Sequence, residues 1–287
     1  MKVTLLFQFV FVALISFAQN KEFNLDKTYK IALEGKIEMS SDDADITIIG
    51  SNRKDVHVNI HHKVTAKRLT FGSEDFSVEV FSRNDDLIIQ ERSRANISVM
   101  GYISEIYTID IEVPSSIGLD LKGDDDDYMI RNVDGDIVMR VDDGDAELSG
   151  CDGKDFYFSF DDGDVKMDRG SGKLVVKTDD GNVYIDRGDF DEIDARIDDG
   201  TMEIETALAK HGEYFFDAND ATITLNITAG AGDFDIRHDD ARVSFTRGFE
   251  VLVEEEDETR LKLGDGSAKV KIRADDGRVR LSEASEI

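Results

Sequence analysis

The sequence has 287 residues and a formal net charge of −29, with 63 acidic against 34 basic side chains. A surplus of that size argues against nucleic acid and anionic membrane surfaces as partners, because both repel it at long range, and it favours cations and basic surfaces. The acids are interleaved with apolar residues that make up 40% of the chain, so it reads as folded rather than disordered.

Residues 1–18 read as a signal peptide. Lys2 is followed by an apolar run from Leu5 to Ile15, interrupted by Gln8, and Ser16 and Ala18 place small residues where a signal peptidase cuts. The run is too short to span a bilayer, so cleavage is expected to leave an exported chain without a transmembrane segment, in the periplasm, on the outer surface or secreted. Residues 19–118 carry strand alternation at Tyr29–Ile48, Val56–Ile60, Leu87–Gln90 and Ile106–Val113, with a longer excursion from Lys63 to Ser82. They are read as irregular β repeats and a cap of the same solenoid, with a separate small β domain as the alternative. Cys151 is the single cysteine, so no internal disulfide is expected. One proline and no tryptophan suit a chain made almost wholly of ladder-forming strands.

Residues 119–287 are regular. Asp142-Asp143-Gly144, Asp161-Asp162-Gly163, Asp179-Asp180-Gly181, Asp198-Asp199-Gly200, Asn219-Asp220-Ala221 and Asp239-Asp240-Ala241 recur at intervals of 19, 18, 19, 21 and 20 residues. Each is followed by period-two alternation, as in Gly163, Val165 and Met167, and a second alternating strand precedes it, as in Phe156, Phe158 and Phe160. The spacing predicts an all-β fold, a parallel β-solenoid with two strands per repeat of about 19 residues and two sheets packed face to face. Because Ala221 and Ala241 replace glycine at the corner, that residue is expected to be small chiefly because it points inward, not because it needs a positive φ. Val253–Glu258 breaks the rhythm, and Leu261–Leu281 supplies closing strands.

Ile111-Glu112-Val113-Pro114, then Gly118-Leu119-Asp120-Leu121 and the Asp-Gly-Asp units that follow, resemble the adhesin-like bacterial family of unknown function of the DUF4097 type. The resemblance covers most of the chain after residue 18. It implies a secreted or envelope-associated β-solenoid with an adhesive or envelope-sensing role, and no catalytic residues.

Stacking in register would align Asp143, Asp162, Asp180, Asp199, Asp220 and Asp240 in one column, neighbours about 5 Å apart and mutually repulsive. Salt, raised carboxyl pKa values, nearby Lys166, Arg169, Lys177, Arg187, Arg237 and Arg242, or bound Ca²⁺ would offset that repulsion. The competing reading is that Asp and Gly serve simply as turn residues on a solvated edge. Tyr157, Tyr184 and Phe215 fall outward among charges and mark a candidate ligand face. His57, His61, His62, His211 and His238 show no metal-ligand spacing and are read as surface residues. Acids repeated at a fixed offset suggest architecture rather than a cleft. The chain is therefore read as a non-enzymatic, adhesin-like binding or structural protein facing a protein or glycan partner of the envelope or cell surface. A carbohydrate-active enzyme on a β-helix is the alternative.

Overall fold

A computed structural model describes residues 19–32, 34–71, 74–95 and 98–283, so the signal segment lies outside the described residues. Strand β1 (Gln19–Lys30) precedes the short strands β2 (Lys36–Ser40) and β3 (Asp45–Ser51) and the longer β4 (Asp55–Phe71), β5 (Glu74–Arg83), β6 (Asp86–Ala95) and β7 (Ser98–Pro114). Next come β8 (Gly118–Asp125), β9 (Asp127–Arg131), β10 (Ile137–Asp143), β11 (Ala146–Ser149), β12 (Asp155–Met167), β13 (Gly170–Ala207) and β14 (Glu213–Ala229). The chain closes with β15 (Gly232–His238), β16 (Arg242–Phe245), β17 (Phe249–Glu254), β18 (Glu258–Leu263) and β19 (Ala268–Glu283).

The fold is all-β, with mixed parallel and antiparallel pairing in one continuous sheet among the described residues. Parallel pairing carries the middle. On one ladder Ile137 of β10 lies beside Leu119 of β8 and Phe156 of β12, and Phe156 lies beside Leu174 of β13. On the other, Ala146 of β11 lies beside Tyr128 of β9 and Val165 of β12. The period-two pattern explains why these segments pair so. Ile137, Met139 and Val141 are buried, as are Phe156, Phe158 and Phe160, and the buried residues of both ladders form one core. Each large apolar side chain removed from water contributes about 2 kcal/mol, while the intervening polar residues stay hydrated.

Both ends depart from sequence order. At the start, β2 lies between β6 and β8, and β3 between β7 and β9, so the segment 86–114 packs outside the one that precedes it. Antiparallel partners finish this end: β5 on β6, β4 on β7 and β1 on β4. The excursion expected at Lys63–Ser82 thus consists largely of β4 and β5 as ladder strands. At the other end β19 lies between β14 on one side and β15 and β16 on the other, and β18 and β17 add antiparallel outside β15.

The corner glycines correct one expectation. Gly144, Gly163, Gly181, Gly200 and Gly277 all have φ between +104° and +140°, a region that L side chains rarely adopt. A Cβ on Gly163 would collide with the carbonyl oxygen of Gly144 in the neighbouring repeat. Ala221 and Ala241 are not among the positive-φ residues, and their methyl groups are buried. Two backbone solutions serve one corner, which is why the Gly/Ala exchange was misleading. His62 corrects a second. It is 2% exposed in β4, stacked on Phe76 at 3.7 Å between ring centroids and bonded to Glu105 at 2.6 Å, whereas its neighbour His61 turns outward to Asn24.

Candidate functional site

The acidic corner is built where each first strand turns into the second. Register places Asp143 beside Asp125 and Asp162, Asp162 beside Asp180, and Asp199 beside Asp220. The expected last step, Asp220 to Asp240, is interrupted. Asp276 of β19 lies beside Asp220, and Asp240 lies beyond it, its amide donating to the Asp275 carbonyl at 2.9 Å. Among the described residues no ion pair reaches a corner acid. Lys166 pairs with Asp164, Arg169 with Asp152 and Asp168, Arg187 with Asp168, and Arg237 with Asp235 and Glu258. Desolvation, then the charges of neighbouring aspartates, raise the pKa values of Asp143, Asp199 and Asp276. Close approach of the Asp125 and Asp220 carboxyls adds to the upward shifts of Asp143 and Asp276.

A second acidic row follows the corner and was missed in the sequence, although Asp127, Asp145 and Asp164 recur there at intervals of 18 and 19 residues. The Asp127 carboxylate accepts the Asp145 amide at 2.9 Å, Asp145 accepts the Asp164 amide at 2.9 Å, and Asp164 accepts the Asn182 amide at 3.1 Å and its Nδ2 at 2.8 Å. Each carboxylate is therefore oriented by the backbone of the next repeat. The row, with Asp45 at its head, borders an open groove of about 400 Å³ that also includes Thr47, Met129, Glu147 and Lys166.

A buried carboxyl stands at the first of these corners. Asp126 occupies the position that Gly144 takes one repeat later, and it is fully buried. It accepts hydrogen bonds from the Ala44 amide at 2.7 Å, the Ser41 hydroxyl at 2.8 Å and the Tyr128 hydroxyl at 3.2 Å. Beside it Glu91 accepts the Asp42 amide at 3.0 Å. Burial pushes Asp126 up to about 6 and Glu91 up to about 7. The nearby Tyr107 hydroxyl is buried without a well-formed hydrogen bond, and burial followed by the Glu91 charge raises its pKa.

The three candidate aromatics are half-buried. Tyr157 is flanked by Arg140 and Lys177 at 5.3 and 5.8 Å from its ring centroid, and Phe215 by Arg196 and Arg273 at 5.6 and 5.5 Å. Phe215 borders a groove of about 290 Å³ with Glu192, Asp194, Glu213, Lys269 and Lys271. Tyr184 sits on the other ladder, in register with Lys166, so the three do not form one patch. Among the described residues no three His, Cys, Asp or Glu side chains converge to hold a metal ion, and no helix is long and apolar enough to cross a membrane. Cys151 is free and fully buried, its Sγ 3.8 Å from the Ile130 carbonyl, and burial pushes the thiol up to about 11. It is expected to resist a thiol reagent such as DTNB at neutral pH and to react stoichiometrically once unfolded. Rapid labelling of the native protein would contradict this burial.

Residues 35–282 match the family model described as Toastrack DUF4097. The chain belongs to this toastrack family. Among solved structures, the toastrack protein is similar to a protein of Bacteroides fragilis described as a "putative adhesin", at 13% identity and a TM-score of 0.50, covering 90% of this chain and 97% of that one. That likeness concerns the fold. A "putative cell adhesion protein" of Clostridium sporogenes matches at 9% identity and a TM-score of 0.26, covering 93% of this chain and 100% of that one. No curated protein matches the chain.

Proposed function

We propose that this toastrack protein is an exported, non-enzymatic, adhesin-like binding protein that presents a repetitive acidic surface to a protein or glycan of the cell envelope or surface. In this reading the chain after residue 18 is a β-solenoid, with residues 19–118 as irregular repeats and cap and residues 119–287 as the regular part. The observation that carries it is the corner column: carboxylates held in register by parallel pairing, pointing outward and reached by no ion pair among the described residues. Fixed, uncompensated charge of one sign is suited to recognition by complementary surfaces, and the oriented row Asp127–Asp145–Asp164 adds hydrogen-bond acceptors for hydroxyl or ammonium groups. Tyr157, Tyr184 and Phe215 supply apolar contact on the outer faces. Ca²⁺ enters as a loosely held counter-ion of Asp143, Asp162, Asp180, Asp199, Asp220 and Asp240, completing its oxygen shell with water.

The test is a panel of envelope polysaccharides and basic proteins offered to the immobilised protein, with and without about 5 mM calcium. Retention without turnover is expected, reduced when Asp127, Asp145 and Asp164 are changed together to asparagine. Release of shortened saccharide would overturn the non-enzymatic reading, and a retention unaltered by calcium would remove the counter-ion.

A further inference from the structure

Strand β17 differs from the other described strands at the edges of the fold. Among the described residues it pairs only with β18, antiparallel, and its register shifts between Val251 and Val253. Val251 and Leu252 are adjacent, yet they are 44% and 51% exposed. Leu252 is the extra residue of this bulge, so it and Val251 both stand in solvent, and among the described residues the outer edge of β17 has no ladder partner. Phe249 packs edge-on against Phe245 of β16 at 6.2 Å and rests, partly buried, on the core, so the open apolar surface is confined to Val251 and Leu252. The charge around that surface is mostly acidic, although Lys262 lies beside Glu250 and Arg260 beside Val253 on β18. Glu250, Glu254, Glu255, Glu256, Asp257 and Glu258 fall within nine residues, and among the described residues only Glu258 of these has ion-pair partners, Arg237 and Arg260.

Natural edges are commonly guarded by charge or by a bulge. Here the bulge leaves two branched apolar side chains in water, where a guard would place lysine or proline. The chain itself displays the kind of strand that complements acidic rows. In β19, Lys269 lies beside Glu213 and Asp233, Lys271 beside Asp235, and Arg273 beside Asp217, while Val270 and Ile272 turn into the core. We propose that the outer edge of β17 receives, by strand addition, an extended segment of a partner protein in which basic and apolar residues alternate. Main-chain hydrogen bonds supply the affinity, Val251 and Leu252 the apolar contact, and the surrounding glutamates select for positive charge. This surface is separate from the corner column and the grooves, so it does not depend on the glycan reading.

The test uses the full chain and a fluorescein-labelled peptide, Ser-Ala-Lys-Val-Lys-Ile-Arg-Ala, followed by fluorescence anisotropy at physiological salt. Two control peptides accompany it, one with its three basic residues replaced by glutamate and one with alternate amides N-methylated. The protein control is the uncharged double substitution Val251→Asn and Leu252→Asn, with its melting temperature measured alongside. The basic peptide is expected to bind, with affinity falling about tenfold or more for each control peptide and for the double variant. Equal binding of the N-methylated peptide, or of the double variant, would reduce the effect to general attraction by an acidic protein and overturn the proposal. Absence of binding would overturn it too. So would self-association of the chain that disappears in the double variant, because β17 would then be covered by a second copy.

Discussion

Gly163→Ala is expected to lower the melting temperature by about 10 °C, measured by circular dichroism or calorimetry on the purified protein. The methyl group meets two obstacles at once. The residue has φ near +126°, and the new Cβ collides with the Gly144 carbonyl oxygen. Neither side can retreat, because pairing at Asp143–Asp162 and Ala146–Val165 fixes the backbone immediately before and after the corner. Strain and overlap at a backbone atom together cost about 4 kcal/mol or more. The reverse exchange, Ala221→Gly, is the control. Ala221 has no positive φ, so glycine there loses only a buried methyl contact and some unfolded-state restriction, about 1 kcal/mol. Equal losses from the two substitutions would mean that the corner backbone is the same at both.

Stability is expected to fall as pH rises from about 4.5 to 7.5, the reverse of ordinary acid denaturation. The sign follows from Asp126 and Glu91, whose carboxyls are lifted from 3.8 to about 6 and from 4.5 to about 7, chiefly by burial. The folded state holds both protons more tightly than the unfolded state. Their stabilising contribution is therefore complete below about pH 4 and is lost as pH passes through 6 to 7. A shift of about two units corresponds to about 3 kcal/mol for Asp126, and to clearly less for the partly exposed Glu91, where solvent screens the charge. Asp126→Asn keeps an acceptor for the Ala44 amide and removes the charge, and so should stabilise the protein at pH 7.5 and flatten the profile. Asp126→Ala should destabilise it at every pH, because the Ala44 amide and the Ser41 and Tyr128 hydroxyls lose their acceptor. Midpoints of urea unfolding across this range, for the native chain and both variants, check the prediction. A native profile that climbs steadily from pH 4.5 to 7.5 would refute it.

The middle of the fold was legible because its information is local and repeated. Acid pairs 18 to 21 residues apart and strict alternation between them place Asp143 beside Asp162 and Phe156 beside Leu174 without further knowledge. The ends were not legible, because the same alternation is compatible with any order of strands. Asp275-Asp276-Gly277 marks 268–283 as a further copy of the corner, but nothing there announces that Asp276 will separate Asp220 from Asp240. The corner backbone was hidden by a true exchange, Gly for Ala, that reflects two local conformations. Asp126 was discoverable: aligning Asp124-Asp125-Asp126 with Asp142-Asp143-Gly144 puts a carboxyl where a small residue otherwise stands, which requires either exposure or a set of donors. His62 was obscured because His61 beside it is polar and half-exposed. Only its pairing with Tyr107 across β4 and β7, and the Phe76 ring over it, turn its side of the strand inward.

The placement of β19 makes the order of synthesis differ from the order of assembly. Residues 213–229 and 232–245 emerge before the segment that lies between them, so until it arrives the strand edges it will pair with have no native partner there. A chain cut short before residue 268 would leave those edges open to any strand that fits.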